Sequence, residues 1–478
     1  MYLALFSFFI ILIFIDRNKI SKLKFWSLLF SILLLLLFLI QNLKFSNFDN
    51  LQFTKLNSWG NPIGLGVINT IFYVDGISHF FIGLSIMLIV ICYLISWENV
   101  EYLNKEFIIL IYMTLIILIG VFTTSDLLLF YILFESSLIP LFLLIGIWGS
   151  REEKVRAAFY FFFYTLIGSL LMLISIFKLY SLLGSTNVIV MNNINLPSNY
   201  QFWFFIGFTI SFAVKVPMIP VHVWLPQAHV EAPLAGSVLL AGILLKLGGY
   251  GFIRFLNPLF PLAFQYFTPL MIILSIIAVI YGGLTTCRQN DMKRLIAYSS
   301  VAHMGFVSLA IFTNSFEGLC ASIFMMLAHG FSSSGLFMSA GVLYARFHSR
   351  VIKYFKGLTA SMPILSSMTL ILILANIGFP LTFNFIAEFF TIISAYNYSW
   401  IVGVLSSLGL ILATVYALYF YNRIFFGYLG NYLVSPRQIT SFEFHPLFIL
   451  LVFILLFGIK PDWLSNFFLF ACYKNISF

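Results

Sequence analysis

Long apolar runs follow one another along the chain, near 2–15, 25–40, 79–96, 107–123, 127–148, 157–183, 203–225, 232–253, 261–286, 295–313, 318–345, 363–395, 401–422 and 447–459. Most reach the roughly 20 residues that a tilted helix needs to cross about 30 Å of hydrocarbon. The first and last are short and need polar flanks to complete a crossing. The runs are uniformly apolar and do not alternate with period two, so they predict helices rather than barrel strands. The expected fold class is an all-α polytopic membrane protein with about 14 transmembrane helices.

Composition agrees with the pattern. The 478 residues are 62% hydrophobic and 9% charged, against about a quarter charged in a soluble domain. So little charge cannot solvate a chain of this length, and the bilayer must act as its solvent. The net charge of +9 does not point to nucleic acid, because the basic residues sit mostly in short loops between apolar runs. Loops after the odd-numbered runs hold 17 Lys and Arg, among them Arg17, Lys19, Lys22, Lys24, Arg151, Lys154, Arg156, Arg288, Lys293, Arg294, Arg346, Arg350, Lys353 and Lys356. The other side holds five: Lys44, Lys55, Arg254, Lys460 and Lys474. This asymmetry predicts an even number of spans, with both termini on the poorly charged, outer side. Cys92, Cys287, Cys320 and Cys472 lack CxxC or His/Cys spacing, so neither a metal site nor a disulfide framework is expected. The run from Leu3 to Ile15 has no small-residue cleavage site behind it and does not read as a signal peptide. The 58 Phe, with many Ile, Leu, Asn and Tyr, are what an AT-rich genome supplies, a compositional hint of organelle coding. Residues 184 to 201 are uncharged and Asn/Ser-rich, and are expected to form an ordinary surface loop.

Five ionisable residues fall inside the runs: Glu135, Lys178, Lys215, Lys246 and Glu388. Lys178 lies near a run's end and can snorkel to the interface. A charge at a helix centre costs roughly 2.5–3.5 kcal/mol on insertion scales. The other four together therefore cost on the order of 10 kcal/mol, as much as a domain's net stability. They should face one another or water. Glu135, in FESSLIP, is about eight residues into its run and roughly 12 Å deep. Lys246, in LAGILLKLGGYG, is equally far from an end.

Two runs carry breaks. In FAVKVPMIPVHVWLPQAHVEAP, residues 212–233, Pro217 and Pro220 remove backbone donors immediately after Lys215 and interrupt a helix. Freed carbonyls at membrane depth are tolerated only beside protein or a cavity. A second break, GFPLTF at 378–383 with Pro380, interrupts the run that carries Glu388. Two interrupted segments in corresponding halves point to an inverted-repeat transporter, although Lys215 precedes its break and Glu388 follows its own by eight residues. His303 and His329 lie in the two runs between Lys246 and Glu388. Either alone is equally well a packing histidine. In line, with Ser299, Ser300, Ser332, Ser333 and Ser334 nearby, they favour a proton relay. Glu135 with Lys215 also reads as a structural ion pair. No nucleotide-binding glycine motif and no Cys or His cluster for haem or iron–sulfur is present, so the chain is expected to offer proton-handling groups and no electron carrier of its own.

Several stretches carry a resemblance: FYVDGIS, LLLFYILFESSLIPLFLLIGIWGSRE, AVKVPMIPVHVWLPQAHVEAPLAGSVLLAGILLKLGGYG, RQNDMKRLIAYSSVAHMG, LAHGFSSSGLF, LYARFHSR and FPLTFNFIAEF. Over about residues 70 to 400 the sequence resembles the antiporter-like subunits of respiratory complex I, NADH:ubiquinone oxidoreductase, most closely the branch called subunit 4. The resemblance implies fourteen spans with inverted repeats in helices 4–8 and 9–13, and broken helices 7 and 12. It divides the chain into 1–100, 101–256, 257–430 and 431–478. It implies proton-transfer roles for Glu135, Lys215, Lys246, His303, His329 and Glu388, with His222 and His229 as accessory polar groups. A glutamate at 388, where sister subunits tend to have lysine, favours subunit 4. Gln227 departs from the pattern, since relatives often carry a charge there. The implied setting is the mitochondrial inner membrane, with termini on the intermembrane-space side. The implied partners are antiporter-like subunits 2 and 5, accessory subunits and lipids such as cardiolipin. NAD, FMN, iron–sulfur clusters and ubiquinone would belong to other subunits. Two other readings stay open: a subunit of a multisubunit cation/proton antiporter, against which FESSLIP and IGIWGSRE speak, and a structural membrane scaffold that has lost transport.

Overall fold

The computed structural model describes residues 2–45, 52–59, 68–100, 102–192, 194, 196–428, 430 and 437–476. Eleven described helices are long and apolar enough to cross a membrane. They are Ile20–Leu43, Gly76–Asn99, Asn104–Thr123, Leu127–Trp148, Lys154–Leu183, Leu234–Leu259, Pro261–Cys287, Met292–Phe312, Phe316–Phe347, Trp400–Phe425 and Ser441–Ile459. Shorter apolar helices, Ala4–Phe14 and Pro363–Ile377, accompany them. The fold is therefore all-α and polytopic, as the apolar runs predict.

Helix starts are written in the sequence by acidic and hydroxyl caps. Asp75 accepts from the Ser78 amide while Ser78 caps back, at the start of Gly76–Asn99. Asp126 accepts from Leu129 N–H at the start of the next span but one. Asp291 accepts from the amides of Lys293 and Arg294, and Ser315 from Gly318. Each satisfies donors that the first turn of a helix leaves unpaired.

Burial runs in a gradient across the bundle. The most apolar stretches of Leu234–Leu259 and Phe316–Phe347 are 100% buried, and that of Met292–Phe312 is 94% buried. By contrast, Ile20–Leu43 and Ser441–Ile459 are 28% buried. Along Lys154–Leu183, the side chains of Phe159, Phe163, Ile167, Leu170, Ile174 and Phe177 are exposed. Their spacing of three and four places them in one stripe along the helix. In water such a stripe is a liability, and in lipid it is the outer wall. The three innermost helices are the ones that carry Lys246, His303 and His329.

Four expectations change. The loop region before residue 75 contains an antiparallel hairpin, Gln52–Trp59 with Ile68–Val74, a small addition to the all-α bundle. Residues 184–201 are not an ordinary surface loop. They form a short helix, Val188–Met191, pair Asn187 with Asp126, and bury Thr186, Val188, Met191 and Leu196. Arg254 is not a loop residue either. It lies in the last turns of Leu234–Leu259, and its Nη1 is 2.7 Å from Asp75 Oδ2. Its guanidinium also stacks over the Tyr73 ring, 4.8 Å from the centroid. Finally, Lys293 and Arg350, counted among the loop charges, are 4% and 1% exposed.

The Asp75–Arg254 pair ties two spans 179 residues apart in sequence. Breaking one partner of a buried pair costs about 3–5 kcal/mol, because the other is left uncompensated. Asp75→Ala also removes a helix cap worth about 1 kcal/mol. Thermal unfolding of the detergent-solubilised assembly should therefore shift down in Asp75→Ala. The double variant Asp75→Ala/Arg254→Leu should recover part of the loss. No recovery would mean that the cap, and not the ion pair, holds this end.

Candidate functional site

The first break ends the helix Ser198–Lys215, and a helix resumes at Trp224–Glu231. Pro217 and Pro220 have no N–H to give, so carbonyls of the preceding turn need other donors. Ala213 O accepts the Met218 amide at 2.9 Å. Val214 O accepts the indole N–H of Trp224, also at 2.9 Å. The tryptophan thus closes the gap from the far side of the break. Lys215 is the last residue of its helix and is 2% exposed. A helix C-terminus favours a cation there. Its ammonium sits 4.5 Å from the centroid of the Phe134 ring and has no hydrogen-bond partner. Half-buried Glu135 follows Phe134, where the span Leu127–Trp148 is interrupted at Ser137. Glu135 and Lys215 act on each other's charge without a hydrogen bond between them, and Ser169 is a further polar neighbour of the carboxyl. They form a coupled pair and not a locked one.

Lys246 occupies a second irregular helix. Leu234–Leu259 contains two π-helical turns, Leu240–Leu244 and Phe252–Leu256. Such turns alter the carbonyl register and occur often at functional positions. The Lys246 ammonium donates to the carbonyl of Ala241, inside the first of them. It also lies 2.8 Å from His329 Nδ1. The His329 and His303 ring centroids are 5.6 Å apart, and His303 Nδ1 is 3.6 Å from Glu388 Oε1. The four groups are 0–2% exposed. The structure thus brings Lys246, His329, His303 and Glu388 into one buried line. The adjacent serines play a smaller part than expected. Ser299 and Ser300 donate to Ile296 O, Ser333 to His329 O and Ser334 to Gly330 O. Only Ser332 reaches across, accepting from Asn384 Nδ2 at 3.3 Å.

The second break has a different construction. Pro363–Ile377 ends at Gly378, which has φ +76°. Gly378 N–H bonds to Ala375 O and Phe379 N–H to Leu374 O, the paired closure that uses a left-handed residue after a helix. Pro380 then prevents continuation, and Phe383–Tyr398 begins. Glu388 lies within this second segment, but its carboxyl folds back on the break. A Cβ at Gly378 would collide with Glu388 Oε2. The eight-residue offset in sequence disappears in space.

The two accessory histidines separate. His222 lies in the first break, its ring facing the edges of Tyr281 and Tyr298. His229 is fully buried, stacked on Phe337 with centroids 4.5 Å apart, and neither ring nitrogen has a partner. Three functional candidates escaped the sequence reading. Glu231 Oε1 is 3.6 Å from Arg350 Nη1, Arg350 also donates to Ser150 Oγ, and Lys293 donates to Ala232 O at 3.0 Å. The signal for Glu231 was present: a carboxylate in AHVEAP, between two apolar runs. Gln227 lines a small cavity of 160 Å³ with Glu153, Arg156, Glu231 and Arg294, so charges surround the position where it departs from the family pattern.

A family model described as NADH:quinone oxidoreductase/Mrp antiporter, TM, matches residues 124–414. The chain is 55% identical over 389 residues to "NADH-ubiquinone oxidoreductase chain 4" of Metridium senile, covering 81% of this chain and 79% of that one. It is 48% identical to the protein of the same name from Chondrus crispus, covering 82% and 80%. Among solved structures it superposes on a chain of respiratory complex I from Thermus thermophilus with bound NADH, with TM-score 0.89, 29% identity and 99% and 98% coverage. It also superposes on a chain of the Mrp complex from Dietzia sp. DQ12-45-1b, with TM-score 0.85, 18% identity and 99% and 96% coverage, a likeness of fold alone.

Gly378 is a direct test of how Glu388 is seated. Gly378→Ala adds backbone strain of about 1–2 kcal/mol at positive φ and pushes the carboxylate away. Gly184 has φ +69° with open space around it, so Gly184→Ala carries the strain alone. Proton pumping by the assembled complex should collapse in Gly378→Ala and persist in Gly184→Ala. Equal pumping in both would show that the seat at Gly378 does not matter.

Proposed function

The chain belongs to the NADH:quinone oxidoreductase/Mrp antiporter transmembrane family, and on that premise we propose a route for protons through it. It is a proton-translocating membrane subunit of NADH:ubiquinone oxidoreductase, of the chain 4 kind. The cation/proton antiporter reading loses ground to the long matches with chain 4 proteins. Its partners are other subunits of that complex. We place antiporter-like subunits 2 and 5 beside it, with accessory subunits and lipids such as cardiolipin at its surface. The redox groups, NAD, FMN, iron–sulfur clusters and ubiquinone, are assigned to other subunits.

For topology, the eleven long helices are joined by the N-terminal helix and the two broken pairs, Ser198–Lys215 with Trp224–Glu231 and Pro363–Ile377 with Phe383–Tyr398. With these three the count reaches fourteen. One broken helix then falls in each half, 101–256 and 257–430, between the flanking segments 1–100 and 431–478. Both termini lie on the outer, poorly charged side, by the distribution of Lys and Arg.

The observation that carries the proton route is the buried line Lys246–His329–His303–Glu388. Lys246 gives a proton to His329, which passes it through His303 to Glu388 and the outer side. An imidazole can take a proton on one nitrogen and release one from the other, which suits the two middle positions. Glu135 and Lys215 act as the control pair. The end of the Lys215 helix packs directly on Leu234–Leu259: a Cβ on Gly248 would lie 2.8 Å from Phe212 O and 3.0 Å from Val216 N. Movement at the first break therefore reaches the segment that holds Lys246, two residues away.

Lys246→Met keeps side-chain volume and removes the charge. It should abolish pumping in a complex that still assembles. Glu388→Gln should do the same, while Glu388→Lys, still titratable, should retain some pumping. Normal pumping in both Lys246→Met and Glu388→Gln would leave the scaffold reading standing. Loss that merely tracks the amount of assembled complex would make these residues packing groups.

A further inference from the structure

The line from Lys246 to Glu388 has an outer end but no evident inner one. On the basic side lies a cavity of 360 Å³ whose polar lining includes Ser96, Glu98, Ser150, Lys293, Tyr344 and His348. Lys293 is its innermost charge, 4% exposed, with its ammonium donating to the carbonyl of Ala232. Ala232 immediately follows the helix Trp224–Glu231, which carries His229 one turn deeper. His229 stacks on Phe337, which lies on the same helix as His329 about two turns further along, and it is within electrostatic reach of both Lys293 and Lys246. It also acts on His329.

The His229 ring is fully buried, flat against Phe337, with neither nitrogen bonded. Leaving a buried polar group unsatisfied costs about 1–3 kcal/mol, and an apolar side chain would fill this slot against Phe337 without that cost. The imidazole is thus an expense that packing does not explain, placed between a cavity-lining lysine and the first member of the proton line. Its neighbour Glu231 is clasped to Arg350, and Arg350 to Ser150. This clasp, joining segments 200 residues apart, fixes the C-terminal end of the Trp224–Glu231 helix, next to the cavity-lining Ala232.

We propose that His229 carries protons from the basic-side cavity to Lys246 and His329, with Lys293 as the charge that governs entry. The inference rests on the reading of Lys246 to Glu388 as the proton line. In each passage the neutral ring accepts a proton on one nitrogen and releases one from the other. It ends as the opposite tautomer and resets by a half-turn of the ring. Neither Lys215 nor Glu135 is needed for this passage.

The test uses the whole complex, reconstituted into sealed vesicles, with NADH oxidation and acidification measured together and assembled complex quantified. His229→Gln keeps a planar polar group that does not titrate. It should assemble and lose pumping by about a hundredfold, the low side of what a positioned proton-transfer group contributes. His229→Ala should lose pumping equally and regain part of it when free imidazole is added. Lys246→Met is the reference. If Lys246→Met stops pumping while His229→Gln pumps normally, protons enter elsewhere and this inference falls while the proton line stands. If Lys246→Met itself pumps normally, the proton line falls, and this inference with it. A loss in His229→Ala that imidazole does not restore, or that follows the amount of assembled complex, assigns His229 to packing and overturns the relay.

Discussion

A charge placed in a bundle that lipid surrounds has few ways to lower its free energy. It can reach the interface, meet an opposite charge, or find dipoles that the backbone has released. Lys178 takes the first course at an exposed helix end, and Arg254 takes the second with Asp75. The residues proposed to carry and control protons depend on the third. Lys215 ends a helix whose continuation two prolines prevent, and Lys246 binds a carbonyl inside a π-turn. Glu388 rests on a glycine that closes another helix. In every case an irregularity in a helix makes a deep charge tolerable, and a regular helix would have to expel it.

The same economy of polar groups explains where these residues sit. The outer helices present stripes of exposed Phe, Ile and Leu, which lipid accepts and which need no partner. The inner three, Leu234–Leu259, Met292–Phe312 and Phe316–Phe347, are almost wholly enclosed by protein. Only there can Lys246, His303 and His329 avoid acyl chains and still remain unlocked by strong ion pairs. A firm salt bridge would stabilise one protonation state and stop transfer. The observed spacings, 2.8 Å from lysine to the first imidazole and 3.6 Å from the second to the carboxylate, are close enough to couple the groups.

The two halves use unlike devices for like ends. In the first, the lysine itself occupies the C-terminus of the broken helix, and a tryptophan from beyond the break repairs a freed carbonyl. In the second, the ionisable residue belongs to the later segment and returns to the break through its side chain, which only a glycine at 378 permits. Asn376 stands beside His303 and Tyr416 on the same break. The second break therefore gathers polar groups around an acid, while the first presents a cation to a ring and to a carboxylate that it does not bond.

Much of this was legible along the chain. Apolar length alone set the helices, because lipid leaves backbone groups no partner but their own helix. Buried charges stood out because nothing but function or pairing tolerates them, so Glu135, Lys215, Lys246 and Glu388 were visible one by one. Prolines and glycine marked both breaks through local dihedral limits. What the sequence by itself could not decide was distance. Nothing in it places His329 on Lys246, 83 residues away, or His303 rather than His329 beside Glu388. It also treated Arg254, Lys293 and Arg350 as loop charges, since side is read from composition while burial comes from packing. The hairpin and the packed segment around Val188–Met191 escaped for the same reason: their order comes from contacts across the fold. Local chemistry determined which residues carry charge and where the helices fail, and only the tertiary packing decided which of those charges meet.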